Sequence, residues 1–200
     1  SKTPYRFTSP RQPKTTYLLI PIVSSENRRY IPVGYVSKDI ITSNANFTIS
    51  NASLYTLGVL TSSVHMAWMR TVAGRLKSDY RYSNTIVYNN FIWPKVTEKN
   101  KSQIEKTAQM ILDARAKHPT MSLAQLYDEL TMPEDLRNAH TANDKAVMKA
   151  YGFKPSMTEP EIVAELFKLY EVKLKELEQE EKKKEEKSKA TEKSRSGKTN

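Results

Sequence analysis

Apolar and polar positions alternate on two different periods along this chain, and the period changes near its middle. Residues 17–23 form a short apolar run that predicts a strand, with Pro21 pointing to an edge position or a bulge. Residues 29–36 have the Tyr, Ile and Val density of a second strand, interrupted by Pro32. The polar link at residues 24–28 predicts a turn, and residues 45–50 predict a further strand closed by Asn51. From Ser53 the spacing of Leu54, Leu57, Gly58 and Leu60 is helical. Residues 61–63 then supply an N-cap for a helix over 64–72, with Gly74 as its expected stop. Residues 85–88 predict another strand.

Beyond residue 96 the pattern is helical throughout. Ile104, Ala108, Ile111 and Leu112 mark one helix that ends before Pro119, and Leu123, Leu126, Tyr127 and Leu130 mark a short second one. A third starts at the capping-box-like residues 131–134 and runs through Leu136, Ala139, Asn143, Val147 and Ala150 to Gly152. Thr158 to Glu161 opens a fourth, striped by Val163, Leu166, Phe167, Tyr170, Leu174 and Leu177. Such stripes predict bundle core rather than a cofactor pocket. The expected class is α+β. A mixed strand and helix domain (1–96) precedes an all-helical domain (97–178), and a charged tail (179–200) is either disordered or a helix extension.

Charge sharpens this division. The chain has 200 residues, is 38% apolar and 27% charged, and carries a formal +10. Residues 1–96 hold twelve Lys and Arg against three Asp and Glu, residues 97–155 nine against eight, and residues 156–200 eleven against eleven. The excess therefore sits in the first half, and the lysine-rich tail adds nothing net. An anionic partner is expected for that half. The absence of cysteine excludes disulfides and thiolate metal sites and fits a reducing cytoplasm. No run reaches the roughly 20 apolar residues of a membrane span.

Several chemistries have no motif here. Glycine-rich phosphate loops, HExxH and GxSxG are missing, and His65, His118 and His140 stand far apart without acidic partners at metal spacing. A binding module is favoured over a self-contained enzyme. Cations, aromatics and small polar groups interleave at 27–30 (Asn27, Arg28, Arg29, Tyr30) and at 70–82 (Arg70, Arg75, Lys77, Asp79, Arg81, Tyr82), the mixture that phosphates and base edges call for. In a strand, Lys77, Asp79 and Arg81 would share one face. A lysine there could donate to guanine and an aspartate accept from its cytosine; an ordinary surface ion pair is the alternative.

Long segments carry a resemblance. Leu-Ile-Pro-Ile-Val-Ser-Ser-Glu-Asn-Arg-Arg-Tyr-Ile-Pro at 19–32, Leu-Thr-Ser-Ser-Val-His-Met-Ala-Trp-Met-Arg at 60–70 and Gly-Arg-Leu-Lys-Ser-Asp-Tyr-Arg-Tyr-Ser at 74–83 resemble the target recognition domain of MmeI-like adenine-specific DNA methyltransferases. Residues 88–91 and 93–94 continue it. Ala114 with Arg115, Leu126 with Tyr127, and 130–133 are similar to that family's helical C-terminal domain. The resemblance covers about residues 15–175.

It implies that an upstream domain of the same polypeptide binds S-adenosylmethionine and methylates adenine N6 within a restriction-modification system. No Asn-Pro-Pro-Tyr motif or cofactor loop occurs in this chain, so it would be inactive alone and hold specificity for double-stranded DNA. Base reading would fall to Lys77, Asp79, Arg81, Asn44 and Ala45. Contacts to DNA backbone or bases would fall to Ser24, Ser25, Asn27, Arg28, Arg29, Arg70, Arg75 and Tyr82. The competing readings are an RNA binder that stacks bases on Tyr30, Tyr80 and Tyr82, and a basic protein-interaction domain.

Overall fold

The computed structural model describes residues 12–196, with side chains to residue 184. Six short strands and six helices follow in the order β1 (Tyr17–Pro21), β2 (Val23–Ser24), β3 (Gly34–Val36), β4 (Asn46–Ser50), α1 (Leu54–Leu60), α2 (Ser63–Val72), β5 (Gly74–Leu76), β6 (Asp79–Arg81), α3 (Glu98–Ala116), α4 (Leu123–Leu126), α5 (Glu134–Tyr151) and α6 (Glu159–Ser196). A single π-helical turn, Asn84–Tyr88, stands between β6 and α3. The class is α+β, as the two hydrophobic periods predict.

The strands form two three-stranded antiparallel sheets, ordered β3-β1-β4 and β2-β6-β5. β1 is central, although it ends on a proline. The ladder alternates, and the Ile22 amide bonds Ala45 on the β4 side, so the nitrogen of Pro21 faces the β3 side. Pairing with β3 stops at Leu19, so no ladder bond is lost there. The expected second strand is reduced to Gly34–Val36. Before it, Pro32 cannot donate, the Ile31 amide turns to the Met66 sulfur at 3.4 Å, and the Val33 amide bonds the Ile31 carbonyl.

A serine caps α2 where the sequence predicts, and a second caps α1 where the helical spacing begins. Ser53 opens α1 and Ser62 opens α2. Three local expectations fail. Gly74 does not stop α2. The helix ends at Ala73 in extended backbone and Gly74 begins β5. Residues 85–88 are not a strand, because the Ser83 hydroxyl caps the Ile86 amide and the Trp68 indole nitrogen holds the Val87 carbonyl at 2.9 Å. Thr131 does not cap α5, since its hydroxyl donates back to the Gln125 carbonyl at 2.6 Å. Gly152 does end α5, in the left-handed conformation at φ 76. The short helix α4 buries Leu126 and Tyr127 but leaves Leu130 in solvent. On α6 the apolar stripe is buried at Ile162 and Leu166, whereas Leu174 and Leu177 are exposed, so the helix leaves the body there. It continues as helix to Ser196, and residues 197–200 lie outside the described part.

The division expected at residue 96 does not separate two cores. Leu18, Leu57 and Met66 belong to the same buried cluster as Ile104, Ile111, Leu136 and Leu166. Helix α1 crosses α3 and α5 at Gly58, where an added Cβ would stand 2.6 Å from Ile104 Cγ2 and 3.1 Å from Asn143 Oδ1. Asn143 pins the crossing: its amide donates to the Gly58 carbonyl at 2.7 Å, and its oxygen accepts from Thr107 at 3.0 Å. Replacing Gly58 with Ala should therefore cost about 1–3 kcal/mol through overpacking, read as a lowered urea midpoint. An unchanged midpoint would show that the crossing can open freely.

Burial also sets the charge state of two histidines. His65 meets the Tyr82 hydroxyl at 3.0 Å and His140 the Tyr127 hydroxyl at 2.7 Å, and desolvation pushes each imidazole down to about 3. Unfolded histidine titrates near 6.5. As pH falls from about 6.5 toward 3, the unfolded chain takes up protons that the folded chain refuses, so stability is lost. Asp144 acts in the opposite sense, because burial raises its carboxyl and the folded form accepts its proton first. The histidines outnumber it. From the two imidazoles alone, urea unfolding at pH 4.5 is expected to need about 5 kcal/mol less than at pH 7, a loss that Asp144 partly offsets. Equal values at the two pH settings would mean that the imidazoles are not held neutral.

Candidate nucleic-acid interface

One residue joins the two sheets. The Ile22 amide donates to the Ala45 carbonyl at 2.9 Å, and the Ile22 carbonyl accepts from the Tyr82 amide at 2.7 Å. Ile22 thus ties the turn bearing Asn44 and Ala45 to the end of β6 through its own main chain, and both residues are exposed.

The register of the second sheet decides which side chains face outward. Val23 lies opposite Arg81, and Ser24 opposite Tyr80. Directly opposed residues share a face. Val23 and Arg81 are exposed and Tyr80 is packed inward, so Ser24 is also inward, at 3% exposure with its hydroxyl unpartnered. Asp79, two residues from Arg81, shares the outer face and is half-buried. Leu76, paired with Asp79, adds an exposed apolar side chain.

Lys77 departs from the expected alternation. It is not on the strand but occupies the first position of the two-residue turn between β5 and β6, at φ 57. A tight hairpin matching the strand twist needs a positive φ there. Asp79 and Arg81 share the strand face; Lys77 projects from the tip beside them, exposed.

The turn at 25–28 stands at the same end. β2 runs antiparallel to β6, so the end of β2 neighbours the start of β6. The turn is closed by the Arg28 amide on the Ser25 carbonyl at 3.2 Å, and the Ser25 hydroxyl accepts from the Asn27 amide at 3.3 Å. Arg75 ties turn and tip together. Its guanidinium lies 3.8 Å over the Tyr80 ring, donates to the Ser78 carbonyl at 2.7 Å and approaches Glu26 at 3.7 Å.

Of the expected DNA contacts, two are buried and two are engaged by neighbouring groups. Ser24 and Tyr82 are buried, the latter on His65. Arg75 spends its planar fork on the hairpin. Arg70 is held by Glu159 at 2.9 Å and by the Arg29 carbonyl, which braces the exit of the turn against α6. The base-stacking alternative fails for the same reason, since Tyr30, Tyr80 and Tyr82 are all buried. What remains on the outer face is Asn44, Ala45, Asn27, Arg29, Lys77 and Arg81, with Ser25, Arg28 and Asp79 half-exposed. The face is cationic, with Asp79 and the exposed Glu26 as its carboxylates and two apolar groups, Val23 and Leu76, of the kind that can touch a thymine methyl. Those two escaped the sequence reading because their exposure follows from register alone.

A brace should show in local rather than global stability. Arg75→Ala is expected to speed amide exchange at Lys77 to Asp79 severalfold while the melting temperature moves by no more than a few degrees. Unchanged exchange at the tip would remove Arg75 from this role.

A small antiparallel-sheet face of cations and hydrogen-bonding groups, mounted on a helical bundle, defines the class: a recognition module. Residues 1–95 match the family model described as MmeI, target recognition domain, and residues 96–178 match MmeI, C-terminal domain, so the chain belongs to the MmeI family. DNA methyltransferase A of Bacillus subtilis (strain 168) is 41% identical over 169 residues, which span 84% of this chain and 19% of that protein. The Type IIL restriction-modification enzyme MmeI, solved in complex with DNA, superposes with a TM-score of 0.81 at 49% identity, over 85% of this chain and 23% of its own. The chain thus spans about a fifth of the length of these relatives.

Proposed function

We propose that this chain is the sequence-reading part of an S-adenosylmethionine-dependent adenine-N6 DNA methyltransferase of a restriction-modification system, and that double-stranded DNA lies across the face built at Ile22. The observation that carries this reading is the convergence of three separate segments, 25–29, 44–45 and 77–81, on one cationic surface through main-chain bonds. Main-chain anchoring leaves side-chain identity free to vary without moving the scaffold, which is what a specificity surface requires.

In this reading Arg28 and Arg29 neutralise phosphates and set the register, with Ser25 and Asn27 hydrogen-bonding beside them. Lys77 donates to the O6 and N7 of a guanine, and Asp79 accepts from the N4 of its cytosine. Arg81, Asn44 and Ala45 face neighbouring bases. Methyl transfer belongs to an upstream domain of the same polypeptide, which takes the target adenine out of the stack. The residues present do not fit the methyl donor. Of the four described glycines, Gly34 and Gly74 begin strands, Gly58 is inside a helix and Gly152 ends one, so none forms a strand-to-helix loop that could cradle it. No helix among the described residues is long and apolar enough to cross a membrane.

The test is a reversal of the two charges. In the intact enzyme, Lys77→Glu with Asp79→Arg is expected to change the methylated sequence at one base pair, from G·C to its reverse, and to leave the other positions alone. Mapping methylated adenines across a genome reads this directly. The same sequence preference after both substitutions would refute the assignment.

A further inference from the structure

Two cavities flank α5, one where the first half of the chain meets the bundle and one within the helical half. The first, about 360 Å³, has Arg29, Arg70 and Lys145 on its wall together with Asp144 and Glu159, so its charges are largely balanced. The second, about 540 Å³, lies between the amino end of α3 and the last turns of α5. Lys99, Lys145 and Lys149 line it, with Gln103 between, and no carboxylate does. None of these three lysines takes part in an ion pair among the described residues. Lys145 stands between the two cavities and lines both, so its ammonium links the second to the first, where Arg29, the residue that leaves the reading turn, lies on the wall.

Helix electrostatics does not account for this cluster. Lys149 sits in the last turn of α5, where a cation is favourable. Lys99, however, lies in the first turn of α3, where it opposes the dipole. Lys145 and Lys149 are one turn apart on the same exposed stripe, and like charges at that spacing repel. Three ammonium groups around one groove, with no carboxylate on its wall, make a positive potential that attracts an anion.

We propose that Lys99, Lys145 and Lys149 form a phosphate track for the DNA duplex, beside the segment read by the hairpin and linked to Arg29 through Lys145. The proposal rests on the DNA-reading function and adds to it a second contact, made by the helical half. Lysine suits the role: a compact, hydrated point charge on a flexible stem follows a phosphate without demanding a fixed geometry. Contacts of this kind add affinity and register but carry no sequence information. The link to Arg29 selects the duplex over an acidic protein as occupant.

The experiment measures binding of the chain to a mixed-sequence duplex of about 30 base pairs by fluorescence anisotropy between about 50 and 200 mM salt. Lys145→Gln with Lys149→Gln should lower the slope of log K against log salt by about 2, and Lys99→Gln alone by about 1. Melting temperatures should not change, because all three side chains are exposed. A slope equal to that of the unaltered chain would overturn the track while leaving the hairpin reading intact. Polyglutamate competing as strongly as duplex DNA would also overturn it, by assigning the groove to an acidic protein. In the intact enzyme the methylated sequence should be the same with or without the lysines; a changed sequence would make them base readers and end the proposal. If the slope falls as expected but the charge reversal at Lys77 and Asp79 does nothing, the track stands and the hairpin assignment falls.

Discussion

The Asp144 carboxylate holds the two halves of the molecule in one arrangement. It accepts the Tyr30 hydroxyl at 2.7 Å through one oxygen and the Ser63 amide at 2.7 Å through the other, at a site only 7% exposed. A carboxylate taken out of water costs several kcal/mol unless its oxygens are satisfied. Here both partners come from the first half of the chain, so the carboxylate is satisfied only when the halves are docked. Burial raises its carboxyl above the usual range against the opposing pull of the Tyr30 and Ser63 hydrogen bonds, and burial together with the Asp144 charge raises the Tyr30 phenol. Beneath Tyr30 the His140 ring stacks at 4.1 Å, and His140 in turn meets Tyr127, which Arg115 braces. The chain leaving the turn at 25–28 is thus anchored to α2, α3 and α5 at once. A surface loop acquires the rigidity of the core two residues before it enters that core.

That anchoring explains how arginine and lysine divide their tasks. Arg70, Arg75 and Arg115 each make several directed contacts, to carbonyls, a carboxylate or a phenol, and Arg75 and Arg115 also lie over aromatic rings. The guanidinium is planar and multidentate, so it can lock two chain segments together. Lys77 remains in solvent at the hairpin tip, as do Lys145 and Lys149 along α5. Counting cations in the sequence therefore overstates the phosphate-binding surface in the first half. Part of that charge is structural, and part of the outward charge belongs to the helical half, where acids elsewhere in the segment mask it in the sum.

Much of the fold was legible because its signals are local. Serine at 53 and 62 before apolar runs, a left-handed glycine at 152 and helical spacing through 104–112 each act over one or two turns, and each element formed where its signal stood. The failures share a cause. Residues 85–88 have strand-forming side chains, but the Trp68 indole, seventeen or more residues away, claims their backbone. Thr131 has the chemistry of a cap, but its hydroxyl donates to the Gln125 carbonyl instead. In both cases tertiary or competing hydrogen bonds outweighed propensity, whose range is only about 1 kcal/mol.

At the site the same boundary runs between composition and placement. By itself the sequence determined the class of fold, the cationic character of its first half, a polar turn within 24–28 and the family, because each depends on residue identity or on short spacings. Only the tertiary structure decided which polar side chains face outward. Ser24 and Tyr82 went inward through the pairing of β2 with β6, Lys77 moved from strand to tip, Arg70 and Arg75 became braces, and Gly58 proved to be a helix crossing. The physical reason is that a one-residue change in strand register turns every side chain to the other face, and register is set by partners that are distant along the chain.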